Sequence, residues 1–269
     1  MADYVHGYSD REAQRLCDQA QGLAELLHHD TRYPSGSLVL EAGCGVGAQT
    51  VLLARNSPRA RFTSIDLSAD SLAQAERRCR QEGLTNVAFQ RADLFDLPFP
   101  DNHFDFIFLC FVLEHLTRPA EALRALMRVL KPGGTLTSIE GDHGSCYFAP
   151  ETPESLTAWR ALVSAQARLG GDSLIGRRLY PLLRQAGFPS PRVSPRMVYS
   201  DNSRPVLEES FVRLTIIPMV EGVRDLALEM KLATPESWEQ GIQDLHRTAS
   251  PEGTFCYCFF KGVAEKPKP

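Results

Sequence analysis

The sequence has no apolar run long enough to cross a bilayer, no pair of cysteines at CxxC spacing and no block of like charge. Each absence removes a class of function. A membrane span needs about 20 consecutive apolar residues, so a membrane protein is not expected. Residues 1–15 mix charged and polar types without the apolar stretch of a secretory leader, so secretion is not expected either. The seven cysteines are odd in number and unpaired in spacing, which fits reduced thiols in a cytoplasm and neither a disulfide framework nor a metal site. Lys and Arg total 29 against 33 acidic residues, a net charge of −4, and no run could track a phosphate backbone. Nucleic acid is therefore not an expected partner. There is no internal repeat, and the only biased segment is the tail Lys266-Pro267-Lys268-Pro269.

What the sequence does have is a regular alternation of short apolar strands with amphipathic helices. Ser9-Asp10-Arg11-Glu12 has the form of a capping box, and Leu16, Ala20, Leu23 and Leu27 follow at helical spacing, predicting a helix of about five turns. Strands are expected at 37–41, 62–66, 87–90, 104–111, 135–140, 192–199 and 253–263, with helices at 48–56, 69–82, 119–130 and 177–186. Phe104 to Phe111 is almost continuously apolar, as a parallel strand covered on both faces must be. Residues 145–180 read as mostly helical and 205–246 as a helical insertion. This order predicts an α/β fold with a doubly wound, mostly parallel sheet.

Between the first strand and its helix lies Val39-Leu40-Glu41-Ala42-Gly43-Cys44-Gly45-Val46-Gly47. Glycines at such a turn let a ligand lie against bare backbone and meet a helix N-terminus. Gly43-x-Gly45-x-x-Ala48, with Asp66 further on, also satisfies a loose dinucleotide fingerprint, so a nicotinamide oxidoreductase is a rival reading. Glu41 argues against it. A carboxylate just before the loop would repel a pyrophosphate but can accept a hydrogen bond from an ammonium.

With those residues in view, the chain resembles the class I, Rossmann-like S-adenosylmethionine-dependent methyltransferases over roughly 38–140. Glu41 to Gly47 looks like the family's first motif, Asp66 like its ribose acid, Asp93-Leu94 like its adenine contact, and Phe104-Asp105 with Leu113-Glu114-His115-Leu116 like its fourth motif. Leu130-Lys131-Pro132-Gly133-Gly134 looks like the turn before strand five. The resemblance implies a seven-stranded sheet ordered 3-2-1-4-5-7-6 with strand seven antiparallel. It also implies S-adenosyl-L-methionine as cofactor, bound by Tyr8, Glu41, Gly43, Cys44, Gly45, Gly47, Asp66, Leu67, Asp93, Leu94, Cys110, Phe111 and His115. The bland readings stand beside these: glycines for packing, Asp93 as a turn cap, and Cys110 and Phe111 as core.

A sulfonium is already an activated methyl donor, so such a protein needs mainly to align donor and acceptor and exclude water. Where the acceptor starts protonated, His143 after strand five, or His115 after strand four, is placed to act as general base, against the reading of ordinary loop histidines. Tyr4, His6 and Tyr8 precede the first helix, and Tyr8 is expected in a lid over the cofactor or as a staple on that helix. Phe211, Leu214, Ile216, Ile217 and Met219 in the insertion would roof the acceptor pocket or form a dimer interface. The expected organisation is a single domain over 1–269: an N-terminal helical lid (1–36), a cofactor-binding core (37–144), a substrate-side half (145–263) with the helical insertion between strands six and seven, and a tail (264–269). The expected protein is a cytoplasmic monomer or homodimer that methylates N or O of a small molecule. Leu109-Cys110-Phe111-Val112 departs from the Asn/Asp-Pro-Pro-aromatic pattern of base methylation. Cys44, Cys110 and Cys146 lack the spacing of paired thiols for a metalloid. A non-catalytic cofactor-binding partner is the alternative from outside the enzymes.

Overall fold

The structure is a computed structural model and describes residues 10–268. Two helices open it, α1 (Asp10–Gly22) and α2 (Ala24–His28), where a single helix was expected. The break falls where Gly22 packs on Ser210: a Cβ there would lie 2.6 Å from the Ser210 hydroxyl oxygen. Tyr4, His6, Tyr8 and the capping Ser9 lie outside the described residues.

The strands β1 (Leu38–Ala42), β2 (Arg61–Asp66), β3 (Val87–Arg91), β4 (Phe104–Cys110), β5 (Leu130–Ala149), β6 (Arg192–Ser200) and β7 (Thr254–Glu265) form one sheet. Its order is β3-β2-β1-β4-β5-β7-β6. Pairs among β1 to β5 are parallel, and β7 runs antiparallel to both β5 and β6, as the resemblance implied. The helices between are α3 (Ala48–Asn56), α4 (Ala69–Gln81), α5 (Pro119–Val129), α6 (Pro153–Arg168) and α7 (Leu179–Ala186). Local chemistry sets their ends: the Ser68 hydroxyl accepts from the Ser71 N–H, Pro119 takes the first position of α5, and Gly187 closes α7 at φ 111°.

Successive residues of the central strands enter opposite cores. Val39 and Phe108 pack with Trp159 and Leu162 of α6, while Leu40, Ile107 and Leu109 pack with Leu123 and Leu126 of α5 and Leu182 of α7. That two-sided burial explains the unbroken apolar run of β4. Each such side chain contributes about 1.5–3 kcal/mol when fully buried.

One expectation needs correction. Residues 141–144 are not a loop: β5 continues to Ala149, with a bulge against β7 between Asp142 and Cys146. Gly141 and Gly144, which suggest a turn, serve packing, since their Cβ atoms would lie 2.5 Å from the Tyr257 hydroxyl and 2.3 Å from the Arg177 guanidinium. The insertion is helical but broken into α8 (Pro205–Leu207), a π-helix (Glu208–Ile216), α9 (Ile217–Glu221), α10 (Arg224–Glu229) and α11 (Pro235–Arg247). Among the described residues no helix is long and apolar enough to cross a membrane.

Candidate active site

A cleft of about 640 Å³ opens along the carboxyl ends of β1, β2 and β4, within the size range of small-molecule sites. Gly43, Cys44 and Gly45 after β1, Asp66 and Leu67 at the end of β2, and Asp93, Leu94 and Phe95 after β3 line one end. Cys110 and Phe111 lie at the middle, and His115, His143, Tyr257, Phe211, Ile216 and Met219 line the other end.

The glycine loop divides its labour. Gly45 has φ +52° and nothing within 4 Å of where a Cβ would stand, so it presents bare backbone to the cleft. Gly47, at φ +79°, lies behind the loop, where a Cβ would come 2.8 Å from Ala75 Cα; it allows α3 and α4 to touch and does not line the cleft. The Gly45 N–H donates to Asp66 Oδ2 at 2.8 Å, and the Ser68 N–H donates to Oδ1 at 2.9 Å. Asp66 thereby ties the end of β2 to the loop of β1 while remaining partly exposed. Asp93 is exposed and caps its own turn through the Phe95 N–H.

Glu41 is the site residue that the structure places elsewhere. It is buried behind the loop and does not line the cleft; its Oε2 accepts from the Thr50 and Ser64 hydroxyls at 2.7 and 2.6 Å. Burial, opposed by those two hydrogen bonds, pushes its pKa to about 7. It braces the loop and is not the ammonium contact expected from its place in the sequence.

His143 sits on the bulge of β5 and is 6% exposed. Its Nδ1 lies 2.6 Å from the Tyr257 hydroxyl, its carbonyl accepts from Trp159 Nε1, and its Nε2 is buried without a hydrogen-bond partner among the described residues. Burial holds it below the ordinary histidine pKa, against the pull of Glu114 and Asp142. The bulge is fixed from behind by the fully buried Asp142, which accepts from Arg177 Nε and Nη2 at 2.8 and 2.9 Å.

The turn after β4, a 3₁₀ helix over Leu113–His115, brings in Glu114 and His115. Glu140 holds it by accepting from the Val112 and Leu113 N–H groups. Burial would raise the Glu114 carboxyl, but the charge His115 carries when protonated, with His143 and Arg15 beyond it, holds the group below the usual carboxylate range. Its neighbour Glu140 is raised by burial and by the field of Glu114.

Several lining residues escaped the sequence reading. Glu12 and Arg15 form a buried pair on α1, with two N–H···O contacts of 2.7 Å. They share the helical phase of Leu16, a signal that apolar periodicity passes over. Tyr257 was legible in principle, because Phe255, Tyr257 and Phe259 alternate onto one face of β7. Of the five insertion residues expected over the acceptor pocket, Phe211, Ile216 and Met219 line the cleft and Leu214 and Ile217 do not; Phe211 and Ile216 lie five residues apart, which on an α-helix would turn them about 140° from each other. The π-helix makes this compatible, and Thr215 Oγ1 donates to the Ser210 carbonyl, five residues back, at 2.8 Å.

The sheet order and the reversed β7 make this the α/β Rossmann-like methyltransferase fold. Residues 40–138 match the family described as a methyltransferase domain. The chain is 39% identical over 108 residues to the ubiquinone/menaquinone biosynthesis C-methyltransferase UbiE of Pseudomonas paraeruginosa, covering 39% of this chain and 42% of that one. It spans between 24% and 52% of the length of the curated relatives it matches. Among solved structures, phosphoethanolamine N-methyltransferase 2 of Haemonchus contortus, in complex with phosphomonomethylethanolamine and S-adenosylhomocysteine, matches with a TM-score of 0.57 and 19% identity, over 92% of this chain and 53% of that one. The [4+2]-cyclase SpnF matches with a TM-score of 0.54 and 24% identity, over 99% and 86%. Since one neighbour is described as a cyclase, the fold does not by itself dictate methyl transfer.

Proposed function

We propose that the chain is an S-adenosylmethionine-dependent methyltransferase acting on N or O of a small molecule. The observation that carries the reading is the unit of Gly45 and Asp66: open, left-handed backbone beside a carboxylate that its own N–H holds in place. Phosphoethanolamine N-methyltransferase structures of this fold hold S-adenosylhomocysteine or S-adenosylmethionine.

The residues present fit that group. Each Asp66 oxygen accepts one backbone N–H and keeps capacity for a ribose hydroxyl. Leu94 and Phe95 offer apolar surface to an adenine, and Asp93 an acceptor for its amino group. The cleft's charge supports a cationic ligand over a pyrophosphate. Among the described lining residues Glu12, Asp66, Asp70, Asp93 and Glu114 face only two guanidinium groups, of Arg15 and Arg118. Glu41 itself sits outside the cleft.

S-adenosylmethionine supplies, when bound, a sulfonium methyl that needs no further activation. The chain's own residues orient and seclude. Gly43 to Gly45 cradle one partner with backbone, Phe111 and Phe259 wall the middle with ring centroids 5.4 Å apart, and His143 Nε2 takes the proton that the acceptor sheds. Residues 1–36 would form the lid, 37–144 the cofactor core and 145–263 the acceptor side, in a cytoplasmic monomer or homodimer with no nucleic-acid partner. Transfer of a tritiated methyl group to a panel of amines, phenols and carboxylates tests the reading. Transfer to an amine or phenol supports it, and silence across the panel with intact cofactor binding favours a non-catalytic binding module.

A further inference from the structure

We infer that the acceptor is an apolar amine, and that anionic acceptors are excluded; this rests on the methyltransferase reading above. The far end of the cleft is walled by Phe211, Ile216 and Met219, next to Phe111 and Phe259 in its middle. Against this apolar wall the polar groups gather in one place: Glu114, His115, His143 and Gln166. Two independent observations there point to the ligand's head group.

The first is charge. Glu114 is 9% exposed; burial would raise its carboxyl, but His115, whose Nε2 lies 3.3 Å from Oε1, holds it below the usual carboxylate range. The guanidinium on that side, of Arg15, is gripped by Glu12 through both oxygens, and Arg118 lies over the Phe95 ring, 4.7 Å from its centroid, beside the adenine end. No lysine lines the cleft among the described residues. A carboxylate or phosphate on the acceptor would thus enter beside a buried carboxylate with no uncommitted guanidinium to receive it, at a heavy desolvation cost. An amine meets the Glu114 carboxylate as a partner.

The second is the His143 Nε2, buried, without a partner and in the wall of the same cleft. A neutral imidazole of lowered pKa can accept a hydrogen bond from an N–H but repels no cation. Transfer to an amine uses both groups in sequence. The amine enters as its ammonium and gives one proton to solvent by way of His143 Nε2; the nitrogen lone pair so freed forms the new N–C bond as the sulfonium C–S bond breaks, its electron pair staying on sulfur. The positive charge passes from sulfur to nitrogen, where the Glu114 carboxylate stabilises it, and the product leaves as the methylammonium. Methylation of a carboxylate ends on a neutral ester and that of a phosphate monoester on an anionic diester, and neither places a positive charge on the acceptor for Glu114 to stabilise.

The test uses the full chain loaded with S-adenosylhomocysteine, titrated with 2-phenylethylamine, 3-phenylpropionate and phenyl phosphate, and with tritiated methyl transfer followed for the same compounds. The expected result is that the amine binds at least about tenfold tighter than either anion and alone accepts the methyl group. Glu114→Gln should reduce that preference to about threefold or less, with cofactor affinity retained. Equal or tighter binding of either anion overturns the amine assignment on the wild-type protein alone, whether or not the variant folds. So does an undiminished preference in a folded Glu114→Gln protein. Failure of S-adenosylhomocysteine itself to bind overturns the methyltransferase reading instead, which separates the two claims.

Discussion

The Nδ1 of His143 lies 2.6 Å from the hydroxyl oxygen of Tyr257, a residue 114 positions away on β7, the antiparallel neighbour of β5. Gly141 makes room for that hydroxyl, and the bulge of β5 turns the imidazole toward the cleft. When Nδ1 carries the proton and donates to the tyrosine oxygen, Nε2 is left with a free lone pair, the form a base requires.

His143→Gln should lower turnover by about 10² or more, the usual scale for loss of a general base, with little change in cofactor affinity. In the wild type the rate should climb with pH through a pKa below the ordinary histidine value and be flat by neutrality, because burial keeps the imidazole neutral. A pH–rate profile of both proteins decides: the same acid limb in the variant removes this histidine from the mechanism.

Tyr257→Phe strips the ring's partner and leaves Nδ1 buried and unsatisfied, at a stability cost of about 1–3 kcal/mol. Turnover should fall less than in the His143 variant, and the acid limb of the pH profile should move. Thermal melts and the pH profile together check this; a stability loss with an unmoved profile would assign the tyrosine to packing alone.

Gly45→Ala and Gly47→Ala should fail in different ways. The first meets no neighbour within 4 Å, so it should cost about 1–2 kcal/mol of stability for its left-handed backbone while blocking the cradle and weakening S-adenosylhomocysteine binding. The second drives a methyl to within 2.8 Å of the Ala75 backbone and should cost about 2–4 kcal/mol of stability. Denaturant melts with calorimetric titration of each protein separate the two, and equal losses of affinity would contradict this division of the loop.

Glu41 gives a pH-dependent stability of definite sign. Its folded pKa, about 7, lies above its ordinary value of 4.5, so its contribution is fully present below about pH 4.5 and is lost as pH rises through 7. Glu41→Gln keeps an acceptor for Thr50 and Ser64 without the buried charge. Relative to wild type its Tm should gain at pH 8 compared with pH 5, with cofactor affinity unchanged. A large loss of affinity with intact stability would restore Glu41 to the ligand.

Strand positions and most helix ends were legible because they follow from patterns local in sequence: the apolar run of Phe104 to Cys110, the Ser68 cap and the Gly187 stop; the strand order was implied by the family resemblance alone. What the sequence concealed were directions set by tertiary partners. Glu41 turns inward because hydroxyls from α3 and β2 meet it there, which its position before a glycine loop does not reveal. Gly141 and Gly144 resemble a turn yet lie in a strand, because the space they leave is filled by Tyr257 and Arg177. The π-helix was invisible to a search for 3.6-residue periodicity, although Phe211 and Ile216 were both expected over the pocket.

The central claim, that the unit of Gly45 and Asp66 binds S-adenosylmethionine, is tested most directly by isothermal titration with S-adenosylhomocysteine and with NADH, on the wild type and on Asp66→Ala. The account predicts S-adenosylhomocysteine binding in the micromolar range, lost or weakened at least about 100-fold in the variant, and no heat from NADH. Binding of NADH with none of S-adenosylhomocysteine, or undiminished S-adenosylhomocysteine binding by Asp66→Ala, would contradict it.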